Sequence, residues 1–259
     1  MSDLLPPRPD LVSAPPQDVR PSATWRWWEV VIFTIIAFLV GVVVSLPLFW
    51  VLAPSSSAAV DGPGLLVSAV VDVVIGGVLI LWLRSAHPSW PRILGWPTRD
   101  RVWAEIGVGI GYGVGLELVA VAAGVVVAML LEATTGRPVE APTQVDPEVA
   151  GWAVAALVLL ACVIAPIVEE FVFRGLLFRS IADRSGFWLG AIASAVPFGL
   201  THVAVGSSLD LWALRVTLMV VGVGLAWIHW RRRNLLANIV AHSTFNVIGV
   251  AIILAGGRG

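Results

Sequence analysis

Seven long apolar runs dominate the 259-residue chain. A run of about 20 apolar residues is long enough to cross the roughly 30 Å hydrocarbon core of a bilayer as a helix. The composition agrees, because 58% of the residues are hydrophobic and only 13% are charged. The sequence therefore predicts an all-α, polytopic membrane bundle of about seven transmembrane helices, within a range of six to eight, and excludes a water-soluble enzyme. The runs cover residues 28–52, 64–83, 103–131, 150–178, 187–206, 209–230 and 235–255.

The arginines predict how this bundle is oriented. All 16 basic residues are arginine, and most lie in the tail before the first run or in the connections after the second, fourth and sixth runs. Positively charged connections stay on the cytoplasmic side of a membrane. The sequence therefore predicts a cytoplasmic N-terminus in a multi-pass protein of the cell membrane. The connection over residues 132–149 is acidic, as expected on the opposite side.

Composition divides the chain into three parts. Residues 1–24 contain many prolines and no sustained apolar period, which is typical of a disordered cytoplasmic tail. Residues 25–149 form the N-terminal membrane helices, and residues 150–259 form the helices with all of the candidate catalytic residues. The formal net charge of −1 provides no basic excess for a nucleic-acid backbone, so nucleic-acid binding is excluded.

Polar residues inside apolar runs are candidates for function, because ionisable groups are costly in a membrane. In the fourth run Glu170 and Arg174 are four residues apart and share a helix face, whereas Glu169 points about 100° away. The arginine can hold one carboxylate while the other faces the bundle. Pro166 predicts a kink that frees the carbonyl of Cys162. A plain helix end with interfacial charges is an equally open interpretation.

Two further runs carry histidines. His202 ends the PFGLTH segment of the fifth run, and His242 shares a helix face with Asn246 in the seventh run. A single histidine on an apolar helix is usually a core residue. Three separate helices that carry Glu, His, His and Asn instead favour a common site.

These segments resemble a known family. EEFVFR (169–174), FGLTH (198–202) and HSTFN (242–246) resemble, in order and spacing, the E-E-x-x-x-R, F-x-x-x-H and H-x-x-x-N/B motifs of the CPBP family. That family comprises membrane-embedded CAAX proteases and bacteriocin-processing enzymes, including the type II CAAX prenyl endopeptidases. The resemblance covers about residues 150–255. It implies an intramembrane endopeptidase whose substrate is a membrane-associated peptide or protein, either CAAX-like with a lipidated C-terminus or bacteriocin-like.

The resemblance also implies roles for the site residues. Glu169 and His202 would bind and activate a water molecule, and His242 with Asn246 would form the oxyanion pocket. Such a set supplies the base and the hydrogen-bond donors that peptide hydrolysis needs. The candidate catalytic residues are Glu169, Glu170, Arg174, His202, His242 and Asn246.

Two points of this mechanism stay open at the level of sequence. Glu170 with Arg174 would orient the site, or Glu170 would share the role of base. One carboxylate and two histidines also match the ligand set of a catalytic zinc, which here would be Glu169, His202 and His242. The chain contains no H-E-x-x-H motif, and the metal-free, glutamate-dependent version is favoured.

Two other functions compete with proteolysis. In an ion-coupled transporter the same glutamates and histidines would bind a cation or relay protons, and Asp72, Glu117 and Arg215 would complete the path. A non-catalytic membrane scaffold or immunity protein would tolerate substitution of all of them. A protease is expected to tolerate changes of Asp72 or Glu117 better than Glu169→Gln.

Glycines in the third run predict close helix packing. Gly107, Gly111 and Gly115 recur at every fourth residue and so form a face of small residues. Either another helix of the chain or a second chain would pack there, and the oligomeric state stays open.

Overall fold

The computed structural model describes residues 21–52, 62–139, 151–202 and 208–256. Within these ranges the regular secondary structure is entirely helical. The helices are α1 (Trp27–Leu52), α2 (Gly62–Ala86), α3 (Trp90–Leu94), α4 (Val102–Thr135), α5 (Trp152–Ser185), α6 (Phe187–Thr201), α7 (Leu209–Arg232) and α8 (Leu235–Gly256).

Six stretches of the described chain are long and apolar enough to cross a membrane. They are α1, α2, the continuous stretch Trp90–Thr135 that includes α3 and α4, α5, α7 and α8. The predicted all-α, polytopic membrane bundle is therefore confirmed. The fifth apolar run forms the shorter α6, which has 15 residues and extends about 22 Å at 1.5 Å per residue.

The arginine-rich segments meet at one end of the bundle. Residues 23–24 form hydrogen bonds to His87, just after α2, and to Asp183 in α5. At the same end Arg232, in the last turn of α7, forms an ion pair with Glu105 in the first turn of α4. The four segments predicted to be cytoplasmic thus lie together, as the predicted orientation requires.

The structure corrects the predicted tail for residues 21–24. Ala23 is buried, and its N–H donates to Asp183 Oδ2 at 2.8 Å. Trp25 follows with no exposed surface, and its indole N–H donates to a backbone carbonyl of α5 at 3.0 Å. These residues are ordered because side chains and carbonyls of α5 satisfy their polar groups. Residues 1–20 lie outside the described residues.

Glycines of α4 pack closely on α8, but they differ from the predicted ones. A Cβ atom at Gly109 would lie 2.7 Å from Val240 Cβ, and one at Gly113 would lie 2.5 Å from Thr244 Cβ, so neither position accepts a side chain without a shift. At the predicted face, packing on another helix is not seen among the described residues, and packing on a second chain stays a prediction. No described atom lies within 4 Å of the Cβ positions of Gly107, Gly111 and Gly115.

Helix α5 lies at the centre of the bundle, where it contacts α1, α2, α6, α7 and α8. Two parts of it are π-helical, Leu160–Ile164 and Glu170–Phe178. In a π-helix each N–H bonds to the carbonyl five residues earlier, and such segments occur frequently at functional sites. All three predicted site residues of α5 lie in or beside the second segment.

Candidate active site

Glu170 is held from two helices. Its side chain and that of Arg174 have no exposed surface. Arg174 Nη1 donates to Glu170 Oε1 at 3.0 Å, and His242 Nδ1 donates to the same oxygen at 2.9 Å. Asn238 Nδ2 donates to Glu170 Oε2 at 2.6 Å. Both carboxylate oxygens are thus occupied by donors from α5 and α8, as a buried charge requires.

Arg174 joins α5 to two further helices. Its Nη2 donates to the carbonyl of Gly222 in α7 at 3.1 Å. Its guanidinium carbon lies 4.2 Å from the centre of the Phe198 ring in α6, a cation–π geometry. The Phe198 ring in turn lies 4.1 Å from the ring of His202. The phenylalanine of the FGLTH segment therefore separates the buried cation from the histidine.

Glu169 lies on the more open side of the site, with 21% of its side chain exposed. Its Oε2 is 2.9 Å from His202 Nε2, and the other ring nitrogen of His202 lies 2.5 Å from the carbonyl of Phe198. A carbonyl only accepts, so the Nδ1 proton is directed to Phe198. The short contact to Glu169 then needs a second proton, and Glu169 and His202 share it.

His242 lies between the two glutamates. Its Nδ1 donates to Glu170, while its Nε2 lies 3.7 Å from Glu169 Oε2. The Nδ1 bond to a carboxylate fixes the orientation of the ring. The Nε2 atom is thereby directed at the open side of the site.

Asn246 forms a different contact from the one its predicted role suggests. Its Nδ2 donates to the carbonyl of Ala161 at 2.6 Å. In the first π-helical segment the N–H of Ala165 bonds to the carbonyl of Leu160, and the next bond would run from residue 166 to Ala161. Pro166 has no N–H, so Asn246 supplies the missing donor. The freed carbonyl is one residue earlier than predicted, because the π-helix shifts the register.

Asn238 is a member of the site that the sequence analysis missed. Besides Glu170 it also binds the carbonyl of Leu225, at 2.9 Å from its Nδ2. Its side chain is fully buried. A signal was present, because Asn238, His242 and Asn246 follow one another at intervals of four and share one face of α8.

Asp72 lies on the face of α2 that packs against α5. Leu65 and Leu79, seven residues before and after it, lie on the same helix face. Leu65 belongs to a buried cluster with Leu157, and Leu79 belongs to one with Leu176. The two helices therefore run side by side in the same direction, with Asp72 opposite the middle of α5.

The middle of α5 is where Glu169 lies. One turn after Asp72, a Cβ atom at Gly76 would lie 3.6 Å from Val168 Cγ2, and Val168 immediately precedes Glu169. Asp72 is close enough to interact electrostatically with both Glu169 and His202. The sequence predicts no partner for Asp72 at helical spacing. In the structure its carboxylate is the third one within electrostatic range of the candidate catalytic pair.

The other two isolated charges of the sequence analysis lie on different helices. Arg215 is buried in α7, with its guanidinium carbon 4.8 Å from the centre of the Trp212 ring. Glu117 lies in α4, where it is half-buried. Of the three, Asp72 has the described interaction with the candidate pair.

The zinc ligands considered from the sequence are Glu169, His202 and His242. No group of three His, Cys, Asp or Glu side chains in the described ranges is arranged to hold a metal ion. Glu169 Oε2 and His202 Nε2, which a zinc ion would need as ligands, instead share a direct hydrogen bond of 2.9 Å.

The fold and the site define a class, a polytopic helical membrane protein with a Glu-Glu-Arg helix next to two histidine helices. A family model described as "Rce1-like: Type II CAAX prenyl endopeptidase Rce1-like" matches residues 151–248, which include all six predicted site residues. The "Putative membrane peptidase YdiL" of Bacillus subtilis (strain 168) is 26% identical over 102 residues. No solved structure is similar enough to count as a match.

These similarities support a relationship of residues 151–248 to the CPBP family of CAAX proteases. The aligned region is 39% of this chain and 39% of the Bacillus subtilis relative, so the chain spans well under two thirds of the relative that it matches. The predicted resemblance to this family is thereby confirmed for residues 151–248.

Proposed function

We propose that this chain is an intramembrane endopeptidase that uses Glu169 as its general base. The observation that carries the proposal is the contact of 2.9 Å between Glu169 Oε2 and His202 Nε2, on the open side of the site. A carboxylate that is bound on one side and open on the other can accept a proton from water. The match of residues 151–248 to the type II CAAX prenyl endopeptidase model supports the same reaction class.

Glu169 is a better base than Glu170 because its carboxylate oxygens can still accept hydrogen bonds. The oxygens of Glu170 accept bonds from Arg174, Asn238 and His242, and the side chain has no exposed surface. A carboxylate that is fully occupied cannot take a proton from water without breaking those bonds. Glu170 is therefore assigned a positioning role, in which it orients His242.

The reaction follows from these positions. A water molecule next to Glu169 and His202 gives a proton to Glu169 while its oxygen attacks the substrate carbonyl carbon. The carbonyl oxygen becomes an oxyanion. His242, with a proton on each ring nitrogen, donates Nε2–H to this oxyanion and keeps the hydrogen bond from Nδ1–H to Glu170. The C–N bond then breaks, and the proton on Glu169 passes to the leaving amine. The products are a new amine and a carboxylic acid, which becomes a carboxylate when it gives its proton to the solvent.

Asn246 contributes to the same oxyanion pocket in this proposal. An amide nitrogen carries two N–H groups, and one of them is used by the carbonyl of Ala161. The second N–H is the one that we assign to the oxyanion. The bond to Ala161 fixes the amide plane and so orients this donor.

The substrate that we propose is a membrane-associated peptide or protein, either CAAX-like with a lipidated C-terminus or bacteriocin-like, cleaved in the cell membrane. The site lies within the membrane-spanning helices α5 and α8 and beside α6. A scissile bond must therefore reach into the bilayer region, which favours a substrate that is itself membrane-bound.

The decisive experiment compares new peptide termini in membranes that contain wild-type protein, Glu169→Gln or Glu117→Gln at equal abundance. Glu117→Gln is the matched control, since it removes another intramembrane carboxylate. New termini with wild type and Glu117→Gln, but not with Glu169→Gln, are the expected result. Identical profiles for all three proteins would contradict proteolysis and favour a non-catalytic scaffold or immunity role.

Metal independence is part of the proposal and has its own test. Cleavage is expected to persist after treatment with a strong zinc chelator, because Glu169 and His202 bind each other directly. Loss of cleavage on chelation, with recovery on adding zinc, would overturn the metal-free mechanism while leaving the peptidase assignment intact.

An ion-coupled carrier is the second candidate function, and the position of Asp72 favours it. Asp72 of α2 lies within electrostatic range of Glu169 and His202, which are themselves hydrogen-bonded to each other. Such groups relay protons in transporters. Proton uptake by vesicles with the purified protein, abolished by Asp72→Asn, would support the carrier over the peptidase.

A further inference from the structure

A cavity lies at the arginine-rich end of the bundle, away from the candidate active site. It has a volume of about 450 Å³ and is enclosed by the start of α1, the end of α5 and the first half of α6. The residues that matter for its chemistry are Arg26, Trp27, Trp28, Ser180, Arg184 and Leu189.

The cavity is positively charged. Arg26 and Arg184 both line it, and none of the described lining residues is acidic. Arg184 is fixed in place, because its Nη1 donates to the carbonyl of Ser180 at 2.7 Å and its Nη2 donates to the carbonyl of Ala23 at 3.0 Å. A guanidinium has five N–H groups, so these two bonds leave donors for a ligand. The chemistry of this wall suits a phosphate.

The cavity also has an apolar and exposed part of its lining. Trp27, Trp28 and Leu189 form it and are about half exposed in the described chain. Tryptophans at a helix start are typical of the headgroup level of a membrane. An occupant must therefore combine an anionic group with an apolar tail.

We propose that this cavity binds an anionic phospholipid of the cytoplasmic leaflet, with its phosphate on Arg26 and Arg184 and an acyl chain along Leu189. Basic pockets between membrane helices on the cytoplasmic side bind anionic headgroups. The arginine-rich end is the one predicted to be cytoplasmic. This proposal does not depend on the peptidase assignment.

The location suggests what the lipid does. Arg184 binds Ala23, and Trp25 two residues later binds a carbonyl in the second π-helical segment of α5. The lipid would therefore stabilise the contact between residues 21–25 and the helix that carries Glu170. Its loss is expected to lower thermal stability rather than to change the chemistry at Glu169.

The test is a lipid titration of the purified full-length chain, followed by native mass spectrometry. Phosphatidylglycerol is compared with phosphatidylcholine of the same acyl chains. The informative variant is Arg26→Gln, because the described hydrogen bonds of Arg26 come from its backbone alone, with Glu29 and Val30. Arg92→Gln is the control, as Arg92 is an exposed arginine of α3 at the same end.

One phosphatidylglycerol per chain is expected to bind saturably and at least about five-fold more tightly than phosphatidylcholine. Arg26→Gln is expected to weaken phosphatidylglycerol binding by about five-fold, Arg26→Lys by less, and Arg92→Gln hardly at all. Equal binding of the two lipids by wild type would overturn the proposal, whatever the variants do.

Two further results would also overturn it. If Arg92→Gln weakens binding as much as Arg26→Gln, the attraction comes from the surface charge as a whole and not from this cavity. If glycerophosphoglycerol, which has the headgroup without acyl chains, competes as well as the lipid, the occupant is a soluble phosphate ester.

Discussion

The two halves of the candidate site differ in how fully their polar groups are bonded. In the inner half, Glu170, Arg174 and Asn238 are buried, and both oxygens of the carboxylate accept bonds. In the outer half, Glu169 and His202 keep about a fifth of their side chains exposed and share one hydrogen bond. The same residue type, glutamate, therefore supports structure in one half and is available for chemistry in the other.

Two carboxylates that are neighbours in sequence can therefore have different roles, because their hydrogen-bond partners differ. Glu169 and Glu170 are adjacent in sequence, but Glu169 pairs with His202 of α6, whereas Glu170 binds Arg174 of its own helix and Asn238 of α8. Saturating one charge with donors lets its neighbour stay reactive. His242 connects the halves, because each of its ring nitrogens faces a different glutamate.

The difference between the two halves is tested most directly by removing the negative charge from each glutamate in turn. Glu169→Gln is expected to lower the rate of cleavage by about 10²–10⁴-fold, because the base is lost, with little change in thermal stability. Glu170→Gln is expected to destabilise the protein by about 3–5 kcal/mol, because Arg174 is left as an uncompensated buried charge. Rates and melting curves of the purified variants measure both.

A double variant distinguishes stability from catalysis in the inner half. Glu170→Leu with Arg174→Met removes both charges and is expected to recover much of the stability lost in Glu170→Gln. Activity should not recover, because His242 then lacks the acceptor that orients it. Full activity of the double variant would contradict the positioning role of Glu170.

Asn238 tests whether the missed residue belongs to the inner half. Asn238→Leu removes the bonds to Glu170 and to the carbonyl of Leu225, and a loss of about 1–2 kcal/mol in stability is expected. The matched variant Asn246→Leu removes the bond to Ala161 and should lower the rate of cleavage more than it lowers stability. The opposite pattern would exchange the roles of the two asparagines.

The packing of α4 on α8 supports the inner half from behind, and two glycines test it. Gly113→Ala is expected to destabilise the protein by about 1–3 kcal/mol, because the new Cβ would overlap the carbonyl of Ala241 and the side chain of Thr244. Gly111→Ala should be neutral or stabilising by up to about 1 kcal/mol, since no described atom is near. Equal melting temperatures for the two variants would disprove this packing.

The smallest expected effect concerns the outer half and Asp72. Asp72→Asn is expected to change the rate of cleavage by a few-fold, because its carboxylate acts on Glu169 and His202 through space, about 1 kcal/mol in a partly solvated site. Glu117→Gln, in α4, serves as the control and should leave the rate unchanged. A wild-type rate for Asp72→Asn would show that the third carboxylate plays no part in the reaction.

The sequence alone was sufficient to predict the helical membrane bundle and the six candidate catalytic residues. Both follow from local patterns, since run length measures the span of a helix and a spacing of four residues places side chains on one face. The spacing of four residues indicated the candidate residues, and the resemblance to the CPBP family supplied the three motifs. The structure connects Glu170 with Arg174 and His242, and Glu169 with His202.

The contacts between polar groups that are far apart in the sequence are visible only in the tertiary structure. Asn238 binds a glutamate 68 residues away, and Asn246 binds a carbonyl 85 residues away. The π-helical register shift, the proximity of Asp72 to Glu169 and the choice of Gly113 over Gly111 also follow from helix packing. A periodic pattern names the faces of a helix, but the neighbour that covers each face is set by the packing of the whole bundle.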